Sequence, residues 1–152
     1  MTAPLPDKFS DCKILAVSKL QSLEKIRDLY SQGQRLFAEN YVQEALEKMK
    51  KLSDLKIQWH FIGHLQKNKV KLVVEKFHWI HSVDSFELAE SINRISEQRG
   101  HIQKILLQVN LADEESKGGF GRDSLLQIAA SLKNLKNIEI LGLMAMPPLE
   151  KD

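Results

Sequence analysis

Short continuous apolar runs alternate along this chain with longer segments whose apolar residues recur every three or four positions. The short runs lie at residues 13–19, 35–40, 58–63, 79–84, 104–110 and 138–146, and they read as buried strands. The longer segments read as amphipathic helices. Leu20, Leu23, Ile26 and Leu29 mark one over residues 20–32, which Gly33 stops. Val42, Ala45, Leu46 and Met49 mark a second over residues 42–52, and Val70, Val73 and Val74 a third over residues 68–77. Ser85 is placed to cap a fourth over residues 86–98 ahead of Gly100, and a fifth covers residues 122–135 after a polar loop at 112–121. Pro147-Pro148 ends the last strand.

Strand and helix in strict alternation predict a parallel sheet joined by right-handed crossovers. Two architectures satisfy that pattern: an open doubly wound sheet, or part of a (β/α)8 barrel. A complete barrel takes about 250 residues, so the 152 residues here correspond to about six of its eight units. Residues 1–152 read as one domain, with no composition shift that would mark a linker.

Composition narrows the classes further. With 43% hydrophobic and 28% charged residues, 7 Gly and 4 Pro, the chain is neither disordered nor low-complexity. A net charge of +2 is too balanced for a nucleic-acid or membrane footprint. The one cysteine, Cys12, excludes an internal disulfide and a cysteine metal cage, and its place beside the first strand predicts burial. The first residues hold no apolar signal region, and the run from Ile138 to Leu149 is too interrupted to span a membrane. A cytoplasmic protein is expected.

In both architectures chemistry gathers at the carboxyl ends of the strands. Those positions are Ser18-Lys19, Glu39-Asn40, Gly63-His64, Asp84-Ser85, Asn110 and residues 144–146. Lys19 follows Ile-Leu-Ala-Val, and desolvation there would favour the free amine that attacks a carbonyl carbon, as in a Schiff base. A strand-end lysine that simply reaches solvent fits the same spacing. Asn40 and Asn110 offer neutral hydrogen bonds at that rim, or shape the turns that follow them. His60 with His64, and His78 with His81, lack a carboxylate to complete a metal site. Gly118-Gly119-Phe120-Gly121 lacks the phosphate-loop fingerprints and reads as a flexible loop. The runs Lys48, Lys50, Lys51 and Lys67, Lys69, Lys71 read as solvated helix surfaces.

Taken in order, several motifs carry a family resemblance: Ala16-Val-Ser-Lys19, Phe37-Ala-Glu-Asn-Tyr-Val-Gln-Glu44, Trp59-His-Phe-Ile-Gly-His-Leu-Gln-Lys-Asn-Lys69 and Ile80-His-Ser-Val-Asp-Ser85. Gln108-Val-Asn110 and Gly142-Leu-Met144 follow at suitable distances. The set resembles the pyridoxal phosphate homeostasis proteins, relatives of the N-terminal barrel of alanine racemase, from about Lys13 to Pro148. The resemblance implies a (β/α)8 barrel of fold-type III that binds pyridoxal 5'-phosphate (PLP), with Lys19 as the lysine that holds it as an aldimine. Asn40 and Met144 would line the pocket. It further implies a carrier of the PLP pool with no robust reaction of its own, a monomer that serves PLP-dependent apo-enzymes. A racemase acting on amino acids and a non-binding remnant are the alternatives.

Two departures accompany it. The family usually has Gly where Ala38 stands, which implies strain if that position needs a positive φ. Family members also begin with an additional helix and continue beyond the Gly-Leu-Met strand. By analogy with alanine racemase, that continuation grips the cofactor phosphate and sets an arginine beside the pyridine nitrogen.

Overall fold

The computed structural model describes residues 12–110 and 118–146. Its elements follow the expected alternation: β1 (Ala16–Val17), α1 (Leu23–Ser31), β2 (Leu36–Glu39), α2 (Val42–Lys51) and β3 (Gln58–Phe61). A 3-10 turn (Lys67–Lys69) leads into α3 (Val70–Val73), followed by β4 (Trp79–Val83), α4 (Phe86–Gln98), β5 (Gln103–Val109), α5 (Arg122–Leu132) and β6 (Ile138–Ala145). The expected stop at Pro147-Pro148 and most of the loop at 112–121 lie outside the described residues.

All five strand pairs are parallel, and the sheet order is β1-β2-β3-β4-β5-β6. That order decides between the two architectures. A doubly wound sheet reverses direction part-way through, whereas a barrel adds each strand beside the last. The strands therefore form an arc of a (β/α)8 barrel, with β1 and β6 at its two edges.

Alternation along each strand divides the side chains between two faces. Ala16, Phe37 and Trp59 form one row by register, and Phe61, Ile80 and Ile105 a second row on the same face. They join Ile26 of α1, Ala45 of α2, Val70 and Val73 of α3, and Leu88, Ala89 and Ile92 of α4 in one core. Phe37, Phe61, Phe77, Ile80, Ile92 and Ile105 are fully buried there, and each contributes roughly 2–3 kcal/mol through removal from water. The opposite, concave face carries Val17, Ala38, His60 and Trp79 in register. Its β1 edge is apolar and open, with Val17 48% exposed.

Local chemistry sets the helix ends. The Ser85 side chain accepts from the Leu88 amide and starts α4 at the expected residue. Ser22 does the same for α1 through the Lys25 amide, so that helix begins at Leu23 and not at Leu20. The third helix is much shorter than residues 68–77. Val74 is extended at ψ 137° and Glu75 adopts φ 69°, which ends the helix without Gly or Pro. Ala38 lies within β2 and has no positive φ, so the departure from glycine there brings no backbone strain. Cys12 is exposed, against the expected burial, because the chain before Ala16 has not yet entered the sheet.

Candidate functional site

Lys19 sits one residue beyond a buried Ser18, in a turn that leaves the end of β1. The Ser18 amide donates to the Ala38 carbonyl oxygen at 2.9 Å, and the Gln21 amide donates back to the Ser18 carbonyl oxygen at 3.0 Å. Lys19 and Leu20 are thus the two middle residues of a four-residue turn. Leu20 adopts φ 58° there, a left-handed conformation that favours glycine or asparagine. The Lys19 side chain is exposed, not desolvated as the strand-end reading implied, because the turn carries it past the last ladder hydrogen bond.

Beneath this turn lies a buried charged cluster that the sequence reading missed. Lys48 of α2 is only 6% exposed, a correction to its reading as a solvated surface residue; Lys50 and Lys51 are exposed as expected. Its Nζ donates to the Ser18 carbonyl oxygen at 2.6 Å, to Glu39 Oε1 at 2.8 Å and to Glu44 Oε1 at 2.6 Å. All three protons of the ammonium are therefore used. Ser18 Oγ also donates to Glu39 Oε1, at 2.7 Å, and the Leu20 amide donates to Glu44 Oε1 at 2.7 Å. The hydrogen bond from Lys48 holds the Glu44 carboxyl below the usual carboxylate range. A signal existed: Lys48 falls between Ala45 and Leu52 on the buried stripe of α2, four residues after Glu44.

Asn40 closes β2 on the same rim, half-buried, with its Oδ1 buried and without a hydrogen-bond partner. Gly63 approaches it so closely that a Cβ there would overlap the Asn40 carbonyl group. A cleft of about 270 Å³ opens beside Asn40, between Tyr41, His64, Leu65 and Lys69. Met144 and Asn110 lie across the sheet: Met144 is half-buried on β6 opposite Gln108, and Asn110 donates its amide to the Phe120 carbonyl oxygen. The structure thus brings Lys19 and Asn40 to neighbouring strand ends and sets Met144 at the far edge of the arc.

On the concave face His60 stacks on Trp79, with ring centroids 5.9 Å apart, and its Nδ1 lies 2.8 Å from His81 Nε2. Burial, and then the neighbouring His81 and His78, push the His60 pKa down to about 4. Burial also lowers His81, while His78 is lowered by burial and by Lys104. His60 Nε2 is buried without a partner. Among the described residues, no group of three or more His, Cys, Asp or Glu is placed to hold a metal ion. Nor is any helix there long and apolar enough to cross a membrane.

The sequence profile of the alanine racemase N-terminal domain matches residues 5–152. The chain belongs to that family. Its curated relatives include the pyridoxal phosphate homeostasis proteins of Pasteurella multocida, 43% identical over 91% of this chain and 60% of that protein, and of Pseudomonas aeruginosa, 43% identical over 88% and 58%. The chain thus spans about 60% of the length of the curated relatives it matches. Among solved structures, PipY of Synechococcus elongatus with PLP bound superposes with a TM-score of 0.88 at 41% identity, over 97% of this chain and 67% of that one. An alanine racemase of Clostridium difficile aligns with a TM-score of 0.73 at 18% identity, which shows the shared fold alone. These likenesses agree with the barrel read from the strand order.

Proposed function

We propose that this chain binds PLP through Lys19 and holds the cofactor as part of intracellular PLP homeostasis, without a robust reaction of its own. The observation that carries the reading is an accessible lysine at the carboxyl end of β1, on a barrel arc that closely matches PLP-bound PipY. When bound, the cofactor supplies an aldehyde that combines with an amine and releases water. The Lys19 amine is that partner, since it is exposed and makes no hydrogen bond or ion pair among the described residues.

The surroundings fit such a group. Ala38 keeps the concave face beside β1 free of bulk, and two buried polar atoms near that face, Asn40 Oδ1 and His60 Nε2, have unused hydrogen-bonding capacity. Asn40 would orient the cofactor from the neighbouring strand end, and Met144 would bound the pocket from β6. The names of the curated relatives support a holding role over a catalytic one. Delivery to PLP-dependent apo-enzymes, a monomeric state, a cytoplasmic location and a single domain over residues 1–152 belong to the same proposal.

The test is a titration of the purified chain with PLP, followed by the visible band of the lysine-bound cofactor, then borohydride reduction and peptide mapping. Saturable binding trapped at Lys19, and lost in Lys19→Ala, is the expected result. Label spread over other lysines, or no band from a folded chain, overturns it.

A further inference from the structure

A lysine side chain has four rotatable bonds, so it can present its amine at one place only if the main chain beneath it is fixed. Pairing in the sheet does not fix it here. β1 is two residues long, lies at an edge and makes its last ladder contact at Ser18. The turn beyond contains Leu20 in a left-handed conformation, which a branched apolar residue adopts only at an energetic cost. Something must hold that turn.

We propose that Glu44 and Lys48 are positioning residues for Lys19, gripping the main chain on either side of it. Lys48 Nζ takes the carbonyl oxygen of Ser18, the residue before, and Glu44 Oε1 takes the amide of Leu20, the residue after. The two gripping groups are bonded to each other at 2.6 Å, and both belong to α2. Glu39 Oε1 ties Lys48 and the Ser18 hydroxyl to β2, so the grip extends into the sheet. The lysine-bearing turn is thus mounted on the second βα unit instead of its own strand. Neither positioning side chain needs to touch the cofactor. Both act through the backbone of Lys19.

This inference rests on Lys19 being the cofactor lysine, and the experiment separates the two. The full chain would be compared with Glu44→Ala and Glu44→Gln, the second of which keeps an oxygen for the Leu20 amide. All binding would be measured well below each protein's unfolding midpoint. Glu44→Ala is expected to raise the PLP concentration for half-saturation about tenfold, as loss of a charge-assisted hydrogen bond predicts, and to reduce the visible circular dichroism per bound cofactor. Glu44→Gln should restore both to within about twofold of the parent. A purely structural role would lower the unfolding midpoint of Glu44→Ala and leave affinity and dichroism of the folded protein unchanged, which overturns the proposal.

If the parent chain gives no band, the reading of function fails, and the grip is then read without cofactor. The Leu20 amide in the parent should exchange with deuterium at least about tenfold more slowly than the same amide in Glu44→Ala. Should Glu44→Ala not fold, slow exchange of the Leu20 amide in the parent decides the question, because an unprotected amide there means that no grip exists.

Discussion

His60 and His81, on adjacent strands, share a hydrogen bond of 2.8 Å between Nδ1 and Nε2 on the concave face of the sheet. One nitrogen must donate and the other accept, so the pair tolerates neutral rings and resists two imidazolium ions. Burial reinforces this, and His60 is held at about 4 against an ordinary value of 6.5.

A pH dependence of stability follows. Between pH about 6.5 and about 4 the unfolded chain binds a proton at this position that the folded chain does not. The contribution of His60 to stability is therefore fully present above about 6.5, falls as pH drops through that window and levels below about 4. Replacing His60 with Gln should flatten the decline, leaving a smaller slope from His78 and His81, which shift in the same direction. Thermal midpoints of the two proteins, taken from pH 7.5 to 4.5 at constant ionic strength, should converge on acidification. Parallel curves would refute the assignment.

The second prediction concerns the crossing of β2 and β3 ends. Gly63 is buried against the Asn40 main chain, where an added Cβ would collide with backbone and not with a movable side chain. Gly63→Ala should destabilise the fold by about 2–3 kcal/mol, since two strand ends must separate to admit one methyl group. Chemical denaturation measures this directly. A loss under about 0.5 kcal/mol would mean that the ends slide apart freely.

What was legible in the sequence, and what was not, has physical causes. Strand and helix periodicity was plain because both patterns report burial on one face, and α4 matched from its first residue to its last. The end of α3 was hidden, since Val74 and Glu75 break the helix through tertiary contacts and no breaker residue announces it. Lys48 was hidden for another reason: a lysine within a basic run reads as solvated, and only the fold brings Glu39 to it. Lys19 stands out by its place at a strand end, while its exposure and its mounting on α2 arise only from the tertiary fold.

Gln103 explains how that irregular end of α3 is secured. Fully buried at the start of β5, it accepts from the Glu75 amide at 3.0 Å and donates to the Phe77 carbonyl oxygen at 3.0 Å. Gln103→Leu preserves bulk but leaves both backbone groups without partners, so a loss of about 2–4 kcal/mol is expected. Gln103→Glu should behave differently, keeping the acceptor and losing the donor. Equal stability of the Leu variant and the parent in urea would show that water replaces the side chain.

The last prediction fixes how binding data on Lys19 are to be read. Its side chain is exposed and makes no hydrogen bond or ion pair among the described residues, while the turn around it is held by Ser18, Glu44 and Lys48. Lys19→Ala should therefore leave unfolding free energy within about 0.5 kcal/mol of the parent. Glu44→Ala, which removes the group on the Leu20 amide, should cost about 1–2 kcal/mol. The two variants would then lose PLP for different reasons: one lacks the amine, the other holds it in the wrong place. If Lys19→Ala proved the less stable of the two, Lys19 would itself be part of what keeps the turn folded.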